Sequence, residues 1–421
     1  MSSAQSKAIL DRLDASGAAG DVLRHHIALE EALAGNALSA GNKVVLLEDG
    51  ARTYADMLAA IRVAKQSVHV ETYIFEDDEV GQQFAAALGE RARAGVKVKL
   101  LYDAVGSMKT PPEFFKGLSA AGIEVAQFNP FGPAGMILKG PIELNHRDHR
   151  KLTIVDGRIA YLGGINISAV YSPNRSLSAP RIEHDPPFEK RAWRDTQVRI
   201  EGPVVTDLQR AFLKQWARTR KEAVPEGKEY FPALAARGPT IVRAIEGAPS
   251  EDGVNILYVA LISAIENAEK NVRITNAYFV PSRELLAALE GAARRGVDVR
   301  LVLPSRTDSW LSFHAGRSYY EELLESGVRI FERKNRLLHA KTASIDGVWS
   351  TVGSTNLDWR SLADNDELNA VVLGPDFAAQ LDAMFEKDAG DSTEITREAW
   401  HQRPLKDRLR EAAAVAWARL L

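Results

Sequence analysis

One short pattern occurs twice in this chain, and it constrains the fold more than any other feature. His149-Arg150-Lys151-Leu152-Thr153-Ile154-Val155-Asp156-Gly157 and His339-Ala340-Lys341-Thr342-Ala343-Ser344-Ile345-Asp346-Gly347 share the form H-x-K-x4-D-G. After the same interval each runs into Gly163-Gly164-Ile165-Asn166 or Gly353-Ser354-Thr355-Asn356. A single copy would carry little weight, whereas two copies with matched glycine and asparagine downstream mark an internal duplication.

The duplication extends upstream. RARAGVKVKLLYD near residue 95 parallels AARRGVDVRLVLP near residue 296. In each, an amphipathic helical stretch (Val80, Phe84 and Leu88; Leu285 and Leu289) stops at a glycine, Gly95 or Gly296, and period-two alternation follows. VHVETYIF at 68–75 and VRITNAYFV at 272–280 precede these units as strands, and LSAAGIEV and LLESGVRI follow them. Strand–helix–strand–helix–strand predicts an α/β fold with a mostly parallel sheet. The Pro/Gly/Glu-rich stretch from Val224 to Asp252 has turn chemistry, so the halves are expected to divide there. The expected organisation is an N-terminal extension at 1–44, a first domain at 45–235 and a second at 236–421.

Composition removes alternatives. The 421 residues include no cysteine, which excludes thiolate nucleophiles, thiolate-held zinc, iron–sulfur clusters and disulfides. With 53 Lys+Arg against 56 Asp+Glu the net charge is −3, which argues against a surface coated for nucleic acid. The N-terminus lacks the continuous apolar stretch of a secretory signal, and no uncharged apolar run approaches the ~20 residues of a membrane-spanning helix. Any membrane contact is therefore expected to be peripheral.

In an extended segment residues i and i+2 share a face, so His149 sits with Lys151 and His339 with Lys341. Asp156 and Asp346, at odd separation and just before a glycine turn, are expected to brace the strand end. If the halves pack about a pseudo-twofold axis, two imidazoles and two ammonium groups meet in one cleft suited to a phosphate. The lysines would bind its oxygens, Asn166 and Asn356 would add amide donors, and the histidines would divide the roles of nucleophile and general acid. Such imidazoles need carboxylates behind them. Glu367 follows His339 closely enough to serve it, and Asp195 is the candidate for His149. A metal site built from the same histidines and carboxylates is the rival reading, disfavoured by a lysine two residues from each His.

The paired motif resembles the phospholipase D superfamily, over nearly the whole chain from about residue 45. ETYIFEDDEVG at 71–81, NHRDHRKLTIVDGRIAYLGGINIS at 145–168, WRDTQVRIEGPVV at 193–205 and LHAKTASIDGVWSTVGSTNLDWRSL at 338–362 are closer still to bacterial cardiolipin synthases of a short form without transmembrane helices. The resemblance implies two similar α-β-α sandwich domains with mixed, mostly parallel sheets, and a catalytic set of His149, Lys151, Asp156, His339, Lys341 and Asp346. It implies phosphatidyl transfer through a phosphohistidine without cofactor or metal, with His149 as nucleophile and His339 as acid, or the reverse. Phospholipids, phosphatidylglycerol among them, are the expected partners, with no nucleic acid and no obligate protein partner. The expected location is the cytoplasmic side of the cell membrane, held peripherally. A phospholipase D-type hydrolase acting on phospholipid, or on nucleic acid, is the alternative.

Three further segments carry expectations. The apolar Phe131–Pro141 stretch is a candidate lid or acyl-chain contact, or a packed loop. The Pro- and Ser-rich 172–190 reads as a loop at the cleft mouth. Leu405–Leu421 reads as a basic amphipathic helix that either lies in a membrane interface or packs on its own domain.

Overall fold

The computed structural model describes residues 38–130, 145–172, 192–249 and 255–418. The apolar segment at 131–141 and the loop at 172–190 lie outside the described residues except Ser172, as do the side chains beyond Ala414.

The first half contains β1 (Ser39–Glu48), α1 (Asp49–Arg62), β2 (Ser67–Thr72), α2 (Glu79–Arg93), β3 (Lys97–Asp103), α3 (Pro112–Ala120) and β4 (Glu124–Phe128). The short β5 (Arg147–Asp148) leads into β6 (Leu152–Val155), β7 (Ile159–Gly163), β8 (Thr196–Glu201) and α4 (Val205–Arg220). The second half repeats this order. It has β9 (Thr240–Gly247), α5 (Ile256–Glu266), β10 (Asn271–Asn276), α6 (Arg283–Arg294), β11 (Asp298–Pro304), α7 (Trp310–Arg317), α8 (Tyr320–Ser326) and β12 (Arg329–Arg333). Then come β13 (Lys341–Ile345), β14 (Trp349–Gly353), α9 (Trp359–Ala363), β15 (Asn365–Leu373), α10 (Pro375–Gly390), β16 (Ser392–Ile395), α11 (Arg397–His401) and α12 (Leu405–Ala418).

Local chemistry sets the ends of these elements. The Asp78 carboxylate accepts hydrogen bonds from the Val80 and Gly81 N–H groups to start α2, whose buried stripe is Val80, Phe84 and Leu88. Ser282 caps α6 in the same way. Gly95 and Gly296, just past these helices, have φ of +87° and +92°, the left-handed geometry in which a Cβ is strained.

Among the described residues all sixteen strands belong to one sheet, in the order β16-β12-β11-β10-β13-β14-β15-β9-β1-β8-β7-β6-β2-β3-β4 with β5 beside β15. Outward from the central β9–β1 pair the order is the same in both directions except for β16, which extends the second half's edge, and this is a pseudo-twofold relation. The expectation of a mostly parallel sheet needs correcting. The parallel pairings are β2–β3–β4, β10–β11–β12 and the short β5–β15 contact, and the remaining pairings are antiparallel. The motifs themselves are the reason. Asp156-Gly157 and Asp346-Gly347 both have positive φ, the signature of a tight hairpin turn, so β6–β7 and β13–β14 must run antiparallel.

The halves also share more than a linker allows. β1 pairs with β8 on one side and β9 on the other, and the division drawn at residue 45 falls inside this strand. Leu38 packs into the second-half core with Ile245 and Leu261. A further core cluster mixes Leu46, Leu101 and Val198 with Val352, Leu368 and Phe377. At the C-terminus α12 packs on its own domain through buried Ala414 and Glu411, the latter held by Arg403, while Leu405 and Leu409 stay exposed.

Candidate active site

The four motif side chains converge in one cleft at the centre of the sheet, each at most 8% exposed. The backbone explains how. The His149 N–H donates to the carbonyl of Asp366 (2.9 Å), and the His339 N–H donates to the carbonyl of Arg194 (2.7 Å). Each motif strand is thereby tied to the strand of the opposite half that carries a buried carboxylate.

Consequently the carboxylates behind the imidazoles are the two expected residues with exchanged partners. Glu367 lies 3.0 and 3.1 Å from His149 Nδ1, and Asp195 lies 2.7 Å from His339 Nδ1. The expectation that Glu367 serves His339 and Asp195 serves His149 is overturned, because the carboxylate that follows in sequence is delivered across the pseudo-twofold axis. With Nδ1 occupied on both rings, Nε2 is the nitrogen left for the cleft.

The two carboxylates are held differently. Ser354 and Ser361 hydroxyls donate to the two Glu367 oxygens, while Asp195 accepts from the Thr196 N–H at 2.7 Å. The shorter Asp195 approaches over Gly164, where a Cβ would stand 2.2 Å from its Oδ1; Ser354 occupies the equivalent position in the second half. Lys151 and Lys341 each donate to the carbonyl of the histidine two residues back.

Burial dominates the electrostatics. It pushes Lys151 down to about 7 and Lys341 to about 8, and Glu367 up to about 7. His149 is driven well below the usual range by burial, aided by Lys151, Lys341, His339 and Arg360. His339 is lowered too, again by burial and then Lys341, but the Asp195 charge and hydrogen bond work in the opposite direction. A cleft this rich in desolvated cations is a preorganised anion site.

Residues 57–173 and 261–389 match the family described as "Cardiolipin synthase, PLD-like domain". The chain is 32% identical over 374 residues to the probable cardiolipin synthase YwiE of Bacillus subtilis, covering 89% of this chain and 71% of that one. It is 34% identical over 391 residues to a cardiolipin synthase of Halalkalibacterium halodurans, covering 91% and 74% respectively. The chain belongs to the cardiolipin synthase family of phospholipase D-like proteins. It is accordingly an enzyme of the phosphatidyltransferase class. The fold is also that of the phosphatidylserine synthase of Haemophilus influenzae, with a TM-score of 0.70 and 14% identity over 94% of this chain and 99% of that one.

Within this cardiolipin synthase-like site not every motif residue reaches the cleft. Asp156 accepts backbone hydrogen bonds from Lys65, Gln66 and Ser67, and Asp346 does so from Glu269, Lys270 and Asn271. Each brace lies a whole strand away from its lysine, five residues on and about 16 Å away at ~3.3 Å per residue. They hold the start of β2 and β10 rather than touch the reacting phosphate. Asn166 is also partly committed, since its amide donates to the Tyr171 hydroxyl and its carbonyl accepts from the Ile74 N–H. Asn356 keeps a buried carbonyl oxygen without a partner among the described residues.

Motif spacing missed several neighbours. Tyr73 stands edge-on to His149 at 5.0 Å with Lys151 over its ring, and Tyr278 bears the same relation to His339 and Lys341. No matched letter announced them, because the register of the repeat aligns Tyr73 with Ala277 and Tyr278 with Ile74. The Tyr171 hydroxyl lies 3.3 Å from His339 Nδ1, and Ser361 has the corresponding place near Glu367, each five residues after its asparagine.

Proposed function

We propose that the protein transfers a phosphatidyl group between phospholipids through a phosphohistidine on His149, with phosphatidylglycerol as acceptor. The observation that carries this is the facing pair of buried imidazoles whose Nδ1 atoms are held by carboxylates and whose flanking lysines supply positive charge. Nε2 of His149 attacks the donor phosphorus, and the phosphorus–oxygen bond to the headgroup breaks. The leaving oxygen takes a proton from Nε2 of His339. The acceptor hydroxyl then attacks the same phosphorus, its proton passes to His339, and the phosphorus–nitrogen bond breaks with its electron pair returning to His149. Asp195 favours the imidazolium at His339, whereas the cations around His149 favour the neutral ring, which supports this division of roles. Lys151 and Lys341 hold the non-bridging oxygens; Asp156 and Asp346 support the strand ends.

Contact with the membrane is peripheral in this reading. Among the described residues no helix is long and apolar enough to cross a bilayer. Trp310 and Trp359, 52% and 61% exposed, supply side chains suited to the headgroup region.

Incubation with phosphatidylglycerol vesicles tests the reading. Cardiolipin and glycerol are the expected products, and phosphatidic acid without cardiolipin would instead assign a hydrolase. His149→Ala and His339→Ala should each lower turnover by about 10⁴ or more. Only His339→Ala should still become labelled by the phosphatidyl group of a donor with a good leaving group; labelling of His149→Ala alone would reverse the two roles.

A further inference from the structure

The His–Lys pairs account for one phosphate, but transfer between two phospholipids brings a second anionic headgroup whose hydroxyl must be aimed at phosphorus. A cavity of about 170 Å³ lies where the halves meet, with Asn145, Asp358, Arg360 and Asp364 among the residues that line it. It is built by the same cross-half pairing that forms the active site. β5 runs beside β15 with Arg147 opposite Asn365, which brings Asn145 next to Asp364. A third wall comes from α7 through Leu311, and the N-terminal end of that helix is linked to the site because the Tyr278 hydroxyl donates to Asp308. Val280, also in the lining, lies two residues beyond Tyr278, whose ring faces His339.

We propose that this cavity is the acceptor subsite and takes a phosphoglycerol headgroup, an inference that rests on the transferase reading above. Its chemistry fits a polyol phosphate better than a plain alcohol. The Asp358 carboxylate is fixed by the Ser361 N–H at 2.9 Å and, with Asp364 and Asn145, offers acceptors for vicinal hydroxyls. The exposed Arg360 guanidinium provides a planar fork for the acceptor's own phosphate. Trp359 and Leu311 give an apolar edge for the glycerol carbons and the start of the acyl chains. The charge of Arg360 is felt at both His149 and Tyr73, which places the subsite beside the reacting centre.

Arg360 and Trp359 are exposed, so Arg360→Ala, Arg360→Lys and Trp359→Ala are expected to fold. With phosphatidylglycerol vesicles the readout is the ratio of cardiolipin to phosphatidic acid, together with glycerol release. Arg360→Ala should lower the ratio about tenfold, because water then competes for the phosphohistidine, and Arg360→Lys should recover part of it. Trp359→Ala should lower it several-fold. An unchanged ratio overturns the subsite, and so does a parallel fall in cardiolipin and glycerol, which would assign the cavity to the donor headgroup. A wild-type protein that forms phosphatidic acid and no cardiolipin overturns the transferase reading and the acceptor subsite with it.

Discussion

The two motif strands hold their histidines in matching geometry with opposite materials. Around His149 the strand reads His146-Arg147-Asp148-His149-Arg150-Lys151, and nearly every side chain joins a buried charged network. Arg147 lies 3.6 Å from Asp103, Arg150 3.3 Å from Glu246, and Asp366 accepts from His146, Gln215 and Arg218. Burial raises Glu71 well above the usual carboxylate range and, with the neighbouring Asp366 charge, pushes Asp148 up to about 7. Around His339 the strand reads Arg336-Leu337-Leu338-His339-Ala340-Lys341. Leu338 and Ala340 pack with Val302, Phe331 and Phe385, and the flanking ion pairs are the buried Arg194–Asp388 and the partly exposed Arg336–Asp49. Backbone pairing and a carboxylate on Nδ1 therefore place the imidazole in either frame, and the surroundings are free to set its charge. In the proposed mechanism the polar side supports the ring that acts as the neutral nucleophile, and the apolar side the ring that is held by Asp195.

The comparison can be broken most sharply at the carboxylates. Glu367→Gln and Asp195→Asn should each reduce turnover by about 10²–10⁴, by loss of the correct tautomer and of charge behind the ring. They should differ in the step that slows. Rapid-quench kinetics should show Glu367→Gln slowing formation of the phosphoenzyme with donors of every leaving group. Asp195→Asn should be rescued in that step by a donor whose leaving group needs no proton. Identical profiles would remove the proposed division of labour.

A smaller effect, on stability, probes the frames. Arg150→Ala leaves Asp148 and Glu71 buried without their cation and should cost about 3–5 kcal/mol in urea unfolding. Giving the first side the residues of the second, as Asp148→Leu with Arg150→Ala and Glu71→Thr, the last because Glu71 and Thr275 hold the same register opposite Leu152 and Thr342, should restore most of that loss, since well-packed replacements of buried charge are often neutral or stabilising. If the triple variant is less stable than Arg150→Ala, the network has a structural part that Leu338 and Ala340 do not model.

The smallest expected effect is in pH. Lys151 at about 7 and Lys341 at about 8 are protonated below those values, so the positive charge of the free cleft is lost as pH rises through them. Affinity for inorganic phosphate, measured by calorimetry, should fall from pH 6.5 to pH 9. Lys341→Met should leave a transition near 7, whereas Lys151→Met should leave one near 8; a flat profile would mean that the two lysines do not titrate in this range.

Much of this was legible in the residues. The duplicated H-x-K-x4-D-G placed His and Lys on one face because extended chains alternate, and Asp-Gly announced the hairpin turn that in fact makes the sheet largely antiparallel. Glu367 and Asp195 were identifiable as buried carboxylates at strand starts, but their partners were not. Sequence order suggests that a carboxylate serves the histidine before it, and only the crossing of Asp366 to His149 and Arg194 to His339 sends each to the other half. Tyr73 and Tyr278 fall one position apart in the repeat and were not announced by it, and nothing local says that a ring will lie against a histidine some 60–80 residues away.

The sequence by itself determined that this chain is a duplicated α/β protein with two His–Lys pairs, because periodicity, turn chemistry and motif spacing are local properties. The tertiary structure decided which carboxylate faces which imidazole, that the two halves share one sheet and one core through β1 and β9, and that a lined cavity opens between Asn145 and Arg360. Those depend on which distant strands exchange hydrogen bonds, and that is a property of the packed whole.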